Sequence, residues 1–193
     1  AKEVSKCADF VIKNTGKMPQ IAVAQNFDQT TWGYAHAAIF LAELYMRERS
    51  PAVAEALAKF ADHLVKVQTP EGSWCHGAKD EPNPLGYKEF NGVGNLCLAA
   101  LGLARQAGVR LEPQVFEKAV QYLLDSGNKL GGIGYSTRPG QKGFGEVGRT
   151  CGTILAFLAM KQQKHPYFEK MQNYVLRRMS TLESGHGSPV LQI

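Results

Sequence analysis

The feature that most limits the fold of this chain is a helical hairpin written three times. Each unit opens on a glycine followed by small and apolar residues. These openings are Trp32-Gly33-Tyr34-Ala35-His36 with AAIFLAELYMRER, Val93-Gly94-Asn95-Leu96-Cys97 with LAALGLARQAG, and Val147-Gly148-Arg149-Thr150-Cys151 with GTILAFLAMKQQ. Runs with so few charges predict helices buried on most sides. Each ends in a break, Ser50-Pro51, Glu112-Pro113 or His165-Pro166, where proline suits the first turn of a second helix. In the second helices apolar residues recur at three and four with charges between, as in Val53, Leu57, Phe60, Ala61, Leu64 and Val67. Gly-rich loops close the units at Gly72 to Gly77, Gly131 to Tyr135 and Gly185 to Pro189, giving repeats of approximately 32–77, 93–135 and 147–187. Glu3 to Lys13 reads as one more outer helix ahead of them.

A hairpin with one buried and one half-buried helix needs neighbours on both sides. The expected fold is therefore all-α, an α/α toroid, with almost no strand. Residues 1–193 form a single domain: a partial ring of about three hairpins plus an extra N-terminal helix. Neither end carries a polar capping helix, so the chain is expected to be a segment of a larger toroid. The remainder of a larger chain or another subunit completes the ring. The apolar faces expected to be left uncovered carry Val4, Phe10 and Val11 at one end, and Tyr167, Met171, Tyr174 and Val175 at the other.

Composition removes several classes of function. The net charge of +5 is spread along the chain and not focused in a patch, which argues against nucleic acid as a partner. No apolar run approaches the roughly 18 residues of a transmembrane segment. Cys7, Cys75, Cys97 and Cys151 are too widely spaced for a disulfide framework or a CxxC knuckle. As buried free thiols they favour a soluble, reducing setting such as the cytoplasm.

The stretch Gln68-Thr69-Pro70-Glu71-Gly72-Ser73-Trp74 has the form Q-x-x-x-G-x-W and follows an outer helix. It resembles the QW motif of the prenyltransferase and squalene-oxidase repeat family, the terpenoid-cyclase-like toroids. The later repeats keep the glycine, but Gly132 is followed by Ile133 and Gly134. The resemblance implies that Gln68 sits at an outer-helix end and Trp74 packs against the adjoining repeat, both as fold residues. Triterpene cyclases protonate their substrates with acid motifs of the form DxDD or DCTAE, and neither occurs here. The nearest candidate acid is Asp28, which is also placed to cap the first inner helix.

The same family includes zinc enzymes. His36, Cys97 and Cys151 share one position after the repeat glycine and form the candidate metal set. Where protein prenyltransferases carry an aromatic-His-Thr-Cys stretch, this chain has Gly148-Arg149-Thr150-Cys151, so the family site does not carry over. Packed helices roughly 8–10 Å apart also spread equivalent side chains too widely for one ion. Trp74-Cys75-His76-Gly77 is similar to one motif of the zinc-binding lanthionine cyclases, but Gly185-His186-Gly187 lacks the second cysteine those enzymes need. No metal and no cofactor are expected.

The long polar loop from Tyr135 to Glu146 leads straight into the third inner helix. Arg138, Lys142, Glu146 and Arg149 there, with Trp32 and Tyr34 of the first inner helix and His76 of the first loop, are the candidate ligand-binding residues. Loops at one end of a rigid scaffold are where function usually resides. Two classes of function fit. One is part of a larger enzyme with a carbohydrate- or isoprenoid-type pocket at the loop end of the inner helices. The other is a non-catalytic binding or scaffolding domain, because one scaffold hosts many chemistries.

Overall fold

A computed structural model describes residues 2–15, 29–77 and 88–180. Seven helices run through them: α1 (Lys2–Lys13), α2 (Thr30–Glu48), α3 (Pro51–Lys66), α4 (Asn91–Gln106), α5 (Pro113–Ser126), α6 (Val147–Ala159) and α7 (Pro166–Arg178). Helices are the regular secondary structure among the described residues, apart from one isolated bridge between Ile133 and Glu146. Pro51, Pro113 and Pro166 each stand at the start of an outer helix, where the missing N–H has no intrahelical partner to lose.

The layers follow from the two kinds of helix. α4 packs along α2 on one side and α6 on the other, so α2, α4 and α6 form the inner row. α3 packs on α2 and α7 on α6, with α1 against α3. The central helix α4 is buried from Val93 through Leu98 and again at Ala100, Leu101, Gly102 and Ala104. Along its seam with α6, Asn95 Nδ2 donates to Arg149 O at 2.9 Å, and Thr153 Oγ1 donates to Asn95 Oδ1 at 2.9 Å. At the other end Arg105 Nη2 and Gln106 Nε2 donate to Met160 O and Ala159 O, covering carbonyls at the end of α6.

The loops stitch neighbouring hairpins together. Trp74 is fully buried, and its indole donates to Leu64 O at 2.7 Å. Gln68 Nε2 donates to Gly72 O at 3.0 Å and to Val115 O, in the first turn of α5, at 2.9 Å. Gly72 and Gly131 have φ near +100°, and a Cβ on either would fall within 2.4 Å of a backbone oxygen of the next outer helix, Lys118 O or Lys170 O. Glycine is required at both for conformation and for space.

Two expectations change. Phe90 N donates to Trp74 O, and Glu146 N makes the same bond to Ile133 O, so Phe90 corresponds to Glu146. Gly148 therefore corresponds to Gly92 and not Gly94, Cys151 to Asn95, and Thr153 to Cys97. Among the residues expected to be uncovered, Val4 and Phe10 are exposed, whereas Val11, Tyr167 and Val175 are half-buried and Met171 and Tyr174 are buried. The large apolar residues exposed at this end are Leu176 on α7 and Met179 just after it. Among the described residues no helix is long and apolar enough to cross a membrane.

Candidate functional site

The inner row of helices turns one face away from α3, α5 and α7. A groove of about 420 Å³ runs across that face, lined by Ile39 of α2, Leu96, Ala99 and Leu103 of α4, and Leu155 and Leu158 of α6. The α4 residues 96, 99, 103 and 106 recur at three and four and so share one stripe. Two amides line the groove as well, Asn95 and Gln106, and both donate to carbonyls of α6. No ionisable side chain is among the lining residues. This wall presents alkyl surface, and its chemistry is shape and burial.

Followed toward the loops, the α2 stripe runs from Ile39 through His36 to Trp32. There the surface changes character. Trp32, His76, Phe90 and Tyr135 form a continuous row of rings, with centroids 5.8 Å apart for Trp32 and His76, 4.5 Å for His76 and Phe90, and 5.1 Å for Phe90 and Tyr135. The Arg149 guanidinium extends the row, 5.5 Å from the Tyr135 centroid. Arg149 Nη1 pairs with Glu146 Oε2 at 2.5 Å, and the two side chains are only 10% and 13% exposed. Burial lowers the Arg149 pKa while Glu146 opposes the shift.

Beside this row lies a polar group drawn from the two loops and from the helices α4, α5 and α6. The Cys75 thiol is pushed up to about 11, first by burial and then by the field of Glu89. Burial and Glu89 likewise push the Tyr122 phenol up to about 12. Both are protonated near neutrality, so Cys75 is not an activated nucleophile. Arg138 Nη2, Arg149 Nε and Asn91 Oδ1 are buried without hydrogen-bond partners among the described residues.

Trp32, His76, Arg138, Glu146 and Arg149 are thus all drawn from the loop end, as their sequence positions suggest. Lys142 is exposed. Tyr34 belongs elsewhere: its ring stacks on His63 of α3 at 3.8 Å and meets Phe60 edge-on at 5.1 Å, so it serves the α2–α3 seam. Burial raises its pKa. Asp28 lies outside the described residues. His36 is exposed, Cys97 fully buried and Cys151 half-buried, and no group of three His, Cys, Asp or Glu among the described residues could hold a metal ion. Phe90, Tyr135 and the groove residues were not singled out in the sequence. The stripe at 96, 99, 103 and 106 is a signal, but it is hidden in a helix that is apolar almost all round.

A family model described as a domain of unknown function, DUF6288, matches residues 3–192. No curated protein and no solved structure matches the chain.

Proposed function

The chain belongs to the DUF6288 family, and we propose that it is an α/α-toroid segment whose inner-helix face forms one wall of a pocket for an apolar, isoprenoid-type ligand. The toroid is of the kind that the prenyltransferase and squalene-cyclase repeats build, and the pocket is part of a larger enzyme completed by further hairpins. The observation that carries this reading is the groove over Ile39, Leu96, Ala99, Leu103, Leu155 and Leu158. A sugar needs unspent hydrogen-bonding groups, and the amide nitrogens of Asn95 and Gln106 are already committed to α6. The carbohydrate reading is accordingly the weaker of the two. The wall has no ionisable group, so it binds and shapes; reacting groups belong at the loop end or on the completing hairpins.

A titration with farnesol and, in parallel, maltotriose separates the two ligands. Saturable binding of farnesol is expected, and it is lost in Ala99→Trp, which fills the groove while the helical circular dichroism is retained. Binding of maltotriose alone, or farnesol binding unchanged in Ala99→Trp, overturns the reading. The second reading, a scaffolding domain, is favoured by Leu155 and Leu158, which are 47% and 40% exposed on the flank of α6. In that case neither ligand binds, and Leu158→Asp reduces self-association or partner association seen by light scattering.

A further inference from the structure

The first loop is fastened to the start of α2 by three hydrogen bonds, one of which can titrate. Thr31 N donates to His76 O at 3.1 Å, and Thr31 Oγ1 donates to Gly77 O at 3.1 Å. The third bond runs between side chains: Trp32 Nε1 donates to His76 Nδ1 at 2.8 Å. An indole nitrogen can only donate, so Nδ1 carries the lone pair and the imidazole is neutral with its proton on Nε2. The rings of Trp32 and Phe90 pack around it.

We propose that His76 is an acid-released latch: protonation at Nδ1 turns the acceptor into a second donor, opposes it to the Trp32 N–H, and removes one of the three bonds that hold the first loop to α2, loosening it. The titratable and charged groups on the surrounding elements are Cys75 and Glu71 on its own loop, His36 one turn along α2, and Lys88 and Glu89 before α4. Tyr135 and Arg138 lie on the next loop, and the Glu146–Arg149 pair lies at the start of α6. None of them sets the direction of the shift, which is downward from the ordinary 6.5 and follows from burial. A histidine depressed in the folded state contributes stability in full above 6.5, and that contribution is lost as pH falls through the folded value. The latch stands on the Trp32–His76 geometry. Its consequence for ligand access, a mouth that widens in acid, rests on the pocket reading above.

The chain has two tryptophans, so its ¹⁵N spectrum carries two indole N–H signals, and Trp32→Phe assigns them. The Trp32 signal is expected to move upfield in one step with a midpoint below 6.5 while the Trp74 signal stays fixed. His76→Gln keeps a carbonyl acceptor but cannot titrate, and its Trp32 signal is expected to stay flat. A flat Trp32 signal in the wild type down to acid unfolding, or the same step in His76→Gln, overturns the latch. Should His76→Gln not fold, Trp32→Phe provides the second arm: without the indole donor the His76 ring midpoint rises, and an unchanged midpoint overturns the proposal. Farnesol binding at pH 7.5 is read separately, so failure of the pocket leaves the indole step to stand or fall alone.

Discussion

The loop closing the first hairpin and the loop closing the second follow one backbone path with different side chains. Gly72 N bonds Thr69 O, and Gly131 N bonds Asn128 O; Thr69 N takes Ser73 O, and Asn128 N takes Gly132 O. Side chains copy the pattern once more, with Thr69 Oγ1 accepting from Ser73 N and Asn128 Oδ1 from Gly132 N. Gly72 and Gly131 share the positive φ and press on the next outer helix. Yet Trp74 corresponds to Ile133, Gln68 to Gly127 and His76 to Tyr135. The repeat lives in the backbone, and the side chains are free to vary wherever they fill the same space.

This comparison can be broken by testing each corresponding pair. Trp74 and Ile133 are both fully buried. Trp74→Ala loses the larger side chain and its bond to Leu64 O, and should cost about 3–5 kcal/mol, against ~2–4 kcal/mol for Ile133→Ala. Urea unfolding of the two variants measures both. A negligible cost at Ile133 with a full cost at Trp74 means that the second loop does not wedge its hairpin as the first does.

The glycine pair comes next. Gly72→Ala and Gly131→Ala each meet an unfavourable φ and a backbone oxygen, at 2.4 and 2.3 Å. Each should lose about 2–4 kcal/mol, and the two losses should agree within roughly 1 kcal/mol, as strain and overpacking at one conformation imply. Thermal unfolding of both variants checks the agreement, and a large inequality separates the two loops after all.

Much of the fold could be read from the chain because its signals are local. Proline at the first turn of α3, α5 and α7 and charge-poor runs in α2, α4 and α6 locate both layers. The register of the inner helices was less legible. Gly94 and Gly148 look equivalent as repeat markers, but a helix glycine answers to its own neighbour: a Cβ at Gly94 would meet Ser73 Oγ at 2.6 Å, and in α6 the close approach falls at Gly152, where a Cβ would meet Asn95 at 3.1 Å. Glycine in a buried helix records close approach and not phase. That slip is why Cys151 was aligned with Cys97. At the loop end, Trp32, His76, Arg138, Glu146 and Arg149 could be singled out by type and position, whereas Phe90 and Tyr135 of the same ring row were not. The groove was not, because Leu96, Ala99 and Leu103 differ from core residues only in facing away from the outer layer. Tyr34 shows the converse, an aromatic at the right helix end that turns toward α3.

The seams between hairpins provide the finest test, because they are held by opposite hands. In the first, the loop reaches forward: Gln68 Nε2 donates to Val115 O of α5. In the second, the outer helix reaches back: Tyr167 Oη of α7 donates to Asn128 O at 2.5 Å. Position 127 is glycine where the first loop has Gln68, and a Cβ there would lie 2.7 Å from Tyr167 Oη. Counted from the opening prolines, Gln114 of α5 stands at the position of Tyr167 in α7. The two arrangements exclude each other at one seam. Gly127→Gln should therefore destabilise by about 1–2 kcal/mol, by overpacking against Tyr167. Adding Tyr167→Gln should recover about 1 kcal/mol of that, because it removes the phenol against which the new side chain is overpacked. Tyr167→Gln alone should cost about 1 kcal/mol for the lost hydrogen bond, which makes the rescue a measurable coupling and not a stabilisation of its own. A double-mutant cycle in urea gives the coupling directly. Strict additivity would mean that the two seams are not exchangeable and that the shared backbone path does not extend to how the hairpins are joined.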